Sequence, residues 1–325
     1  MTVDDHAATT LRCGLVGPGR RRNGLGPFLA RFLEAAGIRV VAAAGRDPER
    51  TRADTEILAK ELGHSLAAHG EVDAMLDREA LDVLIIASPA QSHAAALRAA
   101  AARGLDVLCE KPLCARADAD EVEGLVDTFL SSGAVLMENC QWPFVIGDFR
   151  RLYPTARESA GRLVFGLSPA AGGPMLLEDS LSHFLSLIQA LAPDADLGAA
   201  RWSVDRRIEA DTVAAVLELV APSRGGEFQG RFELAVVAEQ PRPAWLMVDD
   251  LRADRVIRLP GYRQELVAPD GRWQPLDDPM RQLVYDFAAL ARDRHLDRIR
   301  AESERIRHRA ALYRRILDSC LGPAG

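Results

Sequence analysis

Between residues 11 and 139 the chain alternates short apolar runs with amphipathic stretches of helical length, the signature of parallel strands joined by helical crossovers. The runs cover 11–17, 38–44, 81–87, 105–109 and 134–138, and the helices between them roughly 24–36, 47–62, 91–103 and 117–131. Short crossovers of this kind place the first half in the doubly wound class.

After Pro143 the texture changes. A helix containing Phe149 and Leu152, a strand near 163–167 and a long helix over 174–191 come first. Strand-like runs separated by turn residues follow at 202–207, 212–220, 227–237, 245–250, 255–259 and 264–267. Consecutive strands without helices between them predict an antiparallel sheet. Helices over 279–292 and 301–321 close the chain. The expected fold is therefore α/β: an N-terminal Rossmann doubly wound parallel sheet over 1–140, then a C-terminal α+β domain with a mainly antiparallel sheet over 141–325.

Composition narrows the functions. A length of 325 residues, 48% hydrophobic and 27% charged, suits two globular domains. No run of apolar residues is long enough for a membrane span. The opening MTVDDHAATT lacks the basic start and apolar stretch of a signal peptide and reads as a frayed tail. A net charge of −7 argues against a nucleic-acid or anionic-membrane surface. Cys13, Cys109, Cys114, Cys140 and Cys320 are scattered without a CxxC pair, so neither structural zinc nor a disulfide framework is expected, and a cytoplasmic location fits. Of 40 basic residues only Lys60 and Lys111 are lysine, which makes each a chemical question.

The segment CGLVGPGRRRNGLGPF runs from the first strand through a Gly-rich turn into a helix. Gly17 and Gly19 match the first two glycines of a dinucleotide fingerprint, one for the tight turn and one for close approach to a pyrophosphate. Arg22 stands where a third glycine would complete the pattern, with Gly24 and Gly26 later and Pro27 placed to open the helix. Where an NAD-preferring domain carries an acid at the end of its second strand, this chain has Gly45 followed by Arg46. With Arg20, Arg21 and Arg22 in the first turn, these residues predict NADP(H) in preference to NAD(H). The alternative is that the arginines are solvated loop charges.

Past the third run, Ser88-Pro89, His93 and then Glu110-Lys111-Pro112 at a strand end resemble the glucose-fructose oxidoreductase, inositol dehydrogenase and MocA family. The resemblance implies that Ser88, Pro89, His93, Glu110 and Pro112 contact or shape the cofactor site, and that Lys111 is a catalytic lysine beside the nicotinamide. The stretch GGPMLLEDSLSHFLSLIQAL resembles the family's second-domain helix, which implies Asp179 and His183 as partners of the lysine; four apart, they would share one face of an unbroken helix. Leu181 stands where that pattern has a glycine, a bulkier residue that would narrow the pocket. Gln141 and Trp142, on the connection between the domains, are candidate substrate contacts, Trp142 equally a core plug.

The expected function is an NADP(H)-dependent oxidoreductase moving a hydride between the nicotinamide and a small hydroxylated or carbonyl, sugar- or polyol-like substrate. A non-catalytic dinucleotide sensor, or a reductase of a C=N or C=C bond, are the alternatives, since fold alone does not fix chemistry. Apolar residues on both alternating sets of TVAAVLELV and FELAVVAE predict a homodimer or homotetramer built through the C-terminal sheet.

Overall fold

A computed structural model describes residues 10–20, 24–115, 121–169, 175–209, 212–238 and 240–321. The tail at 1–9, Arg21, Arg22 and the Gly172–Gly173 pair lie outside the described residues. Two compact units divide the chain, one formed by 1–113, 123–138 and 284–303, the other by 114–122, 139–283 and 304–325.

The first unit follows the order β1 (Arg12–Val16), α1 (Gly26–Ala35), β2 (Arg39–Ala44), α2 (Pro48–Leu62), β3 (Ala67–His69), α3 (Val72–Arg78), β4 (Val83–Ile86), α4 (His93–Ala101), β5 (Asp106–Cys109), α5 (Val122–Ser132) and β6 (Leu136–Glu138). The strands form one sheet in the order β3-β2-β1-β4-β5-β6, every neighbour parallel. β4 and β5 are buried along their whole length, as strands covered on both faces must be. Helix ends are written in the sequence. Asp47 caps α2 by accepting from the Arg50 amide at 3.1 Å, and Gly63, at φ 78°, ends it in the left-handed conformation. β3 and α3 escape the periodicity reading because a three-residue edge strand, Ala-Ala-His, carries no pattern to detect.

This unit is completed from the far end of the chain. Asp106, at the start of β5 and buried, receives the Val135 amide at 2.8 Å and the Arg294 guanidinium at 2.6 Å. Burial raises the Asp106 carboxyl above its ordinary range, while the Val135 amide and Arg294 pull it down; burial prevails. Arg294 itself sits at φ 53°.

The second unit contains α6 (Ile146–Leu152), β7 (Arg162–Leu167), α7 (Met175–Glu178), α8 (Leu181–Leu191), β8 (Arg201–Glu209), β9 (Thr212–Ser223), β10 (Gly226–Ala235), β11 (Ala244–Val248), β12 (Leu251–Arg258), β13 (Arg263–Val267) and β14 (Trp273–Leu276). The closing helices α9 (Pro279–Asp293) and α10 (Leu296–Leu321) each contribute to both units. Eight strands pair in the order β14-β13-β12-β11-β7-β10-β9-β8, antiparallel except for β7 beside β10. One face buries the core. Phe165, Phe232 and Phe184 stack in sequence, centroids 5.2 and 4.9 Å apart, and Trp142 meets Phe165 edge-on at 4.7 Å.

Three expectations change here. The helix expected over 174–191 is broken: α7 stops at Glu178 and α8 starts at Leu181, with Asp179 and Ser180 in the turn between them. Asp179 therefore shares no helical face with His183; short polar side chains such as Asp and Ser favour turns over helix interiors. Leu181 is fully buried in the phenylalanine core. β12 begins four residues earlier than the apolar run suggested, because its first half alternates arginine and aspartate with Leu251 and Ala253.

Candidate functional site

The loops of the first unit leave its sheet along one edge. Ala44, Val16, Ile86 and Cys109 are register partners across β2, β1, β4 and β5, so the next residues, Gly45, Gly17, Ala87 and Glu110, emerge side by side. Each exit is tied to the neighbouring strand: the Gly17 amide donates to Ala44 O at 2.9 Å, Ala87 to Val16 O at 2.8 Å and Glu110 to Ile86 O at 2.8 Å. In open parallel sheets, ligands bind outside these carboxyl ends where the strand order reverses, here between β1 and β4.

The Gly-rich turn fits a dinucleotide. Gly17 has φ 89°, and a Cβ there would lie 2.8 Å from Ala87 O. A Cβ on Gly26 would lie 2.2 Å from Gly17 O, so Gly26 supplies the close helix–strand packing that a third glycine gives in the shorter fingerprint. Pro27 follows in the first turn of α1. Gly19 faces α2, where a Cβ would come within 2.5 Å of Asp54 Oδ2. Asp54 was not foreseen from the sequence; it is an ordinary helix residue until folding sets its carboxylate against the turn.

At the end of β2, Gly45 has a steric reason to lack a side chain: a Cβ would lie 2.6 Å from Thr51 Oγ1, which donates to Asp47 O at 2.7 Å. Arg46 is exposed and forms no ion pair among the described residues. Arg20 stacks on Phe28, its Cζ 4.6 Å from the ring centroid.

His93 joins the remaining two loops. At 1% exposure, its Nε2 lies 2.7 Å from Ser88 O and its Nδ1 2.9 Å from Pro112 O. A neutral ring can donate to only one of these carbonyls. Burial lowers its pKa below the ordinary 6.5, against the opposing pull of the carbonyls and Glu138. Ser88 Oγ and Ser92 Oγ are 2.7 Å apart, and the Ser92 amide closes the Pro89 turn at 2.9 Å. Glu110 and Lys111 are half-buried just past β5, and the Lys111–Pro112 bond is cis. Lys60, by contrast, is an exposed cation in the last turn of α2, so position marks Lys111 rather than rarity.

In the second unit Asp179 is half-buried in its turn, and His183 is buried in the first turn of α8, its amide bonded to Ser180 O at 3.1 Å. Gln141 precedes the short 3-10 helix Trp142–Val145, and its carbonyl accepts from Phe144 N at 3.1 Å. Trp142 is 2% exposed and belongs to the core. Among the described residues no group of three or more His, Cys, Asp or Glu side chains is arranged to hold a metal ion, and no helix is long and apolar enough to cross a membrane.

Comparison with known proteins agrees with this edge. Residues 11–140 match the model of an oxidoreductase family with an NAD-binding Rossmann fold. The chain is 40% identical over 112 residues to D-xylose 1-dehydrogenase (NADP(+)) 2 of Haloferax volcanii, a match spanning 34% of this chain but only 32% of that protein. It is 24% identical over 266 residues to D-apiose dehydrogenase of Rhizobium rhizogenes, covering 77% and 74% of the two chains. A 3-ketoreductase from Actinomadura kijaniata, solved with NADP, shares the fold with a TM-score of 0.67 at 20% identity, over 94% of this chain and 96% of the other. Over residues 11–140, two fifths of its length, the chain is therefore similar to the Gfo/Idh/MocA oxidoreductases, whose family model describes an NAD-binding Rossmann fold.

Proposed function

We propose that the protein is an NADP(H)-dependent oxidoreductase acting on a small hydroxylated or carbonyl compound. The observation that carries this reading is the position of Lys111, first past Glu110 on the same sheet edge as the Gly17–Gly26 cradle. A bound nicotinamide supplies or accepts the hydride. Oxidation of a carbinol leaves a hydroxyl proton behind, and reduction requires one. The Lys111 ammonium stabilises the negative charge that develops on the substrate oxygen. His183 takes or returns the proton, as imidazole does near neutral pH, and Asp179 orients the group that does so. Ser88, Pro89 and His93 shape the cofactor loop, and Gln141 contacts substrate; Trp142 backs that contact from the core.

Two facts bear on the cofactor. An exposed, unpaired Arg46 beside a glycine suits a 2′-phosphate. The Asp54 carboxylate at Gly19 favours a second reading, NAD(H), because an acid near the turn repels phosphate and bonds a ribose hydroxyl. The protein works as a homodimer or homotetramer in the cytoplasm. Supporting this, no disulfide joins the five cysteines, and the outward face of β9 presents the half-buried Val216 and Val220; a monomer by light scattering would count against it.

The test is Lys111→Ala, screened with polyols, sugars and small ketones. Turnover should fall about 100-fold or more with cofactor affinity nearly unchanged. Lys111→Arg should not restore it, because a guanidinium does not give up its proton. A fully active Lys111→Arg variant would sink the assignment, and no cofactor turnover by the wild type would leave a sensor.

A further inference from the structure

Three aromatic side chains stand strongly exposed among the described residues, Tyr262, Trp273 and Tyr285, and the first two share one cleft. Apolar rings scattered singly need no explanation, whereas two that converge on one concavity mark a surface for a ligand. The cleft lies at the edge of the eight-stranded sheet where β14 is the last strand. It holds about 440 Å³, within the range of about 300–1,000 Å³ for small-molecule sites. All its lining residues belong to the second unit.

Strand pairing fixes its length. Trp273 is the register partner of Val267, so it stands roughly 15 Å from Tyr262 along β13. Trp273 is 59% and Tyr262 57% exposed, yet Tyr262 is held in place. Its side chain bonds the guanidinium of Arg255 on β12, which also donates to Gln264 Oε1 at 2.8 Å and lies 5.5 Å from the centroid of Trp142.

The rest of the lining is polar. Arg263 is exposed and forms no hydrogen bond or ion pair with its side chain among the described residues. Asp277 and Arg281, both exposed, sit 3.6 Å apart, looser than the about 2.7–2.9 Å of a charge-assisted bond. Donors and acceptors there are unspent. Glu265 and Asp278 are committed, the first to Arg258 at 2.9 Å, the second to the amides of Met280 and Arg281 at 2.9 and 3.3 Å. Two arginines and three carboxylates line the cleft, and Arg258 offsets the third acid.

Balanced charge selects no ion. Rings at two ends with unspent donors and acceptors between them suit a ligand whose units each carry an apolar C–H face and a rim of hydroxyls. The negative face of an aromatic ring attracts polarised C–H bonds, and neighbouring hydroxyls can pair with a carboxylate and a guanidinium. The span exceeds a single sugar ring. We infer that this cleft binds a short neutral oligosaccharide, stacked on Trp273 and Tyr262 and hydrogen-bonded by Asp277 and Arg281. A peptide fits less well, because β14 is four residues long and contains Pro275, both of which blunt strand addition. None of these residues has a role in the oxidoreductase proposed above.

The experiment is calorimetric titration of the full chain with cellohexaose, maltohexaose and xylohexaose, each beside its monosaccharide, and with a proline-rich decapeptide as a separate arm. At least one hexasaccharide should bind with a Kd below about 1 mM and about 10-fold or more tighter than its monosaccharide. Raising NaCl from about 50 to about 500 mM should leave that affinity unchanged, because the ligand is uncharged. Trp273→Ala should weaken it about 10-fold or more and Trp273→Phe, which keeps a ring, by less, with NADP(H) affinity unchanged in both. Arg281→Ala should weaken it several-fold and carries the comparison if Trp273→Ala fails to melt cooperatively. No binding by any hexasaccharide, equal binding by wild type and Trp273→Ala, a monosaccharide as tight as its hexamer, or tighter binding of the peptide overturns the inference. So does affinity lost in Lys111→Ala but kept in Trp273→Ala, which would place the sugar at the oxidoreductase's own site. A dimer that Trp273→Ala disperses also overturns it, since a second copy would then fill the cleft.

Discussion

The two sheets put their chemistry in different parts of the peptide. In the parallel sheet the important groups are backbone at strand ends: the Gly17 turn, the Ser88 and Pro112 carbonyls, and the amides that tie each exit to its neighbour. In the eight-stranded sheet they are side chains on long strands, such as Arg255 over Trp142 and Trp245 lying against Gly166. A site built from backbone tolerates almost no added atom, whereas one built from side chains can repack.

That contrast can be broken most directly at two glycines. Gly26→Ala places a methyl 2.2 Å from a main-chain oxygen, and Gly166→Ala places one 2.1 Å from an indole nitrogen. Gly26→Ala should destabilise by about 3 kcal/mol and abolish cofactor binding, while Gly166→Ala, relieved by rotation of Trp245, should cost about 1 kcal/mol. Denaturant midpoints measure both, and equal losses would erase the distinction. Next in size is Arg294→Ala. It strips a buried carboxylate of its cation and should cost about 2 kcal/mol, reduced from a fully buried pair because Arg294 is half exposed. Loss confined to the second unit in hydrogen exchange would contradict the assignment of residues 284–303 to the first.

Smaller effects probe the parallel edge itself. Arg46→Ala should weaken NADP(H) by about 10-fold or more and NAD(H) little, while Asp54→Asn should strengthen NADP(H). Fluorescence titration reads both, and a tighter grip on NAD(H) in the wild type would favour the second cofactor reading. For His93 the sign follows from burial. Its folded pKa is lowered, so the folded ring stays neutral while the unfolded one, near 6.5, takes a proton. The associated stability is present above that value and is lost as pH falls toward the lower folded one. The melting difference between wild type and His93→Gln should therefore shrink from pH 7.5 to pH 5.5; a constant gap means that His93 does not titrate there.

These differences also explain what could be read in advance. The first sheet and its edge are legible because their signals are local: Gly17-Pro18-Gly19 follows a strand, and Glu110-Lys111-Pro112 ends one. Gly26 is partly legible, since a longer turn displaces the packing glycine without changing its task. Asp54 is not, because its closeness to Gly19 depends on how α2 packs. The broken helix at Asp179 hid behind an apolar period that continues across the turn. Arg255 left one trace, a cation in an alternating apolar set, but Gln264 is brought to it only by strand pairing and Trp142 only by the packing of its 3-10 helix on the sheet. β3 and β14 were too short to register at all.

The return of residues 284–303 to the first unit has a consequence for synthesis. Val284, Phe287 and Leu290 are fully buried there, and Arg294 reaches Asp106 across 188 residues of chain. At about 5–20 residues per second, the emerging first sheet waits roughly 10–40 s between the appearance of Asp106 and that of Arg294. During that interval the surface later covered by α9 is open to other chains. The nascent polypeptide therefore presents a chaperone-sized vulnerability in its earliest half, and a ribosome stalled before residue 284 would release a sheet with its last wall missing.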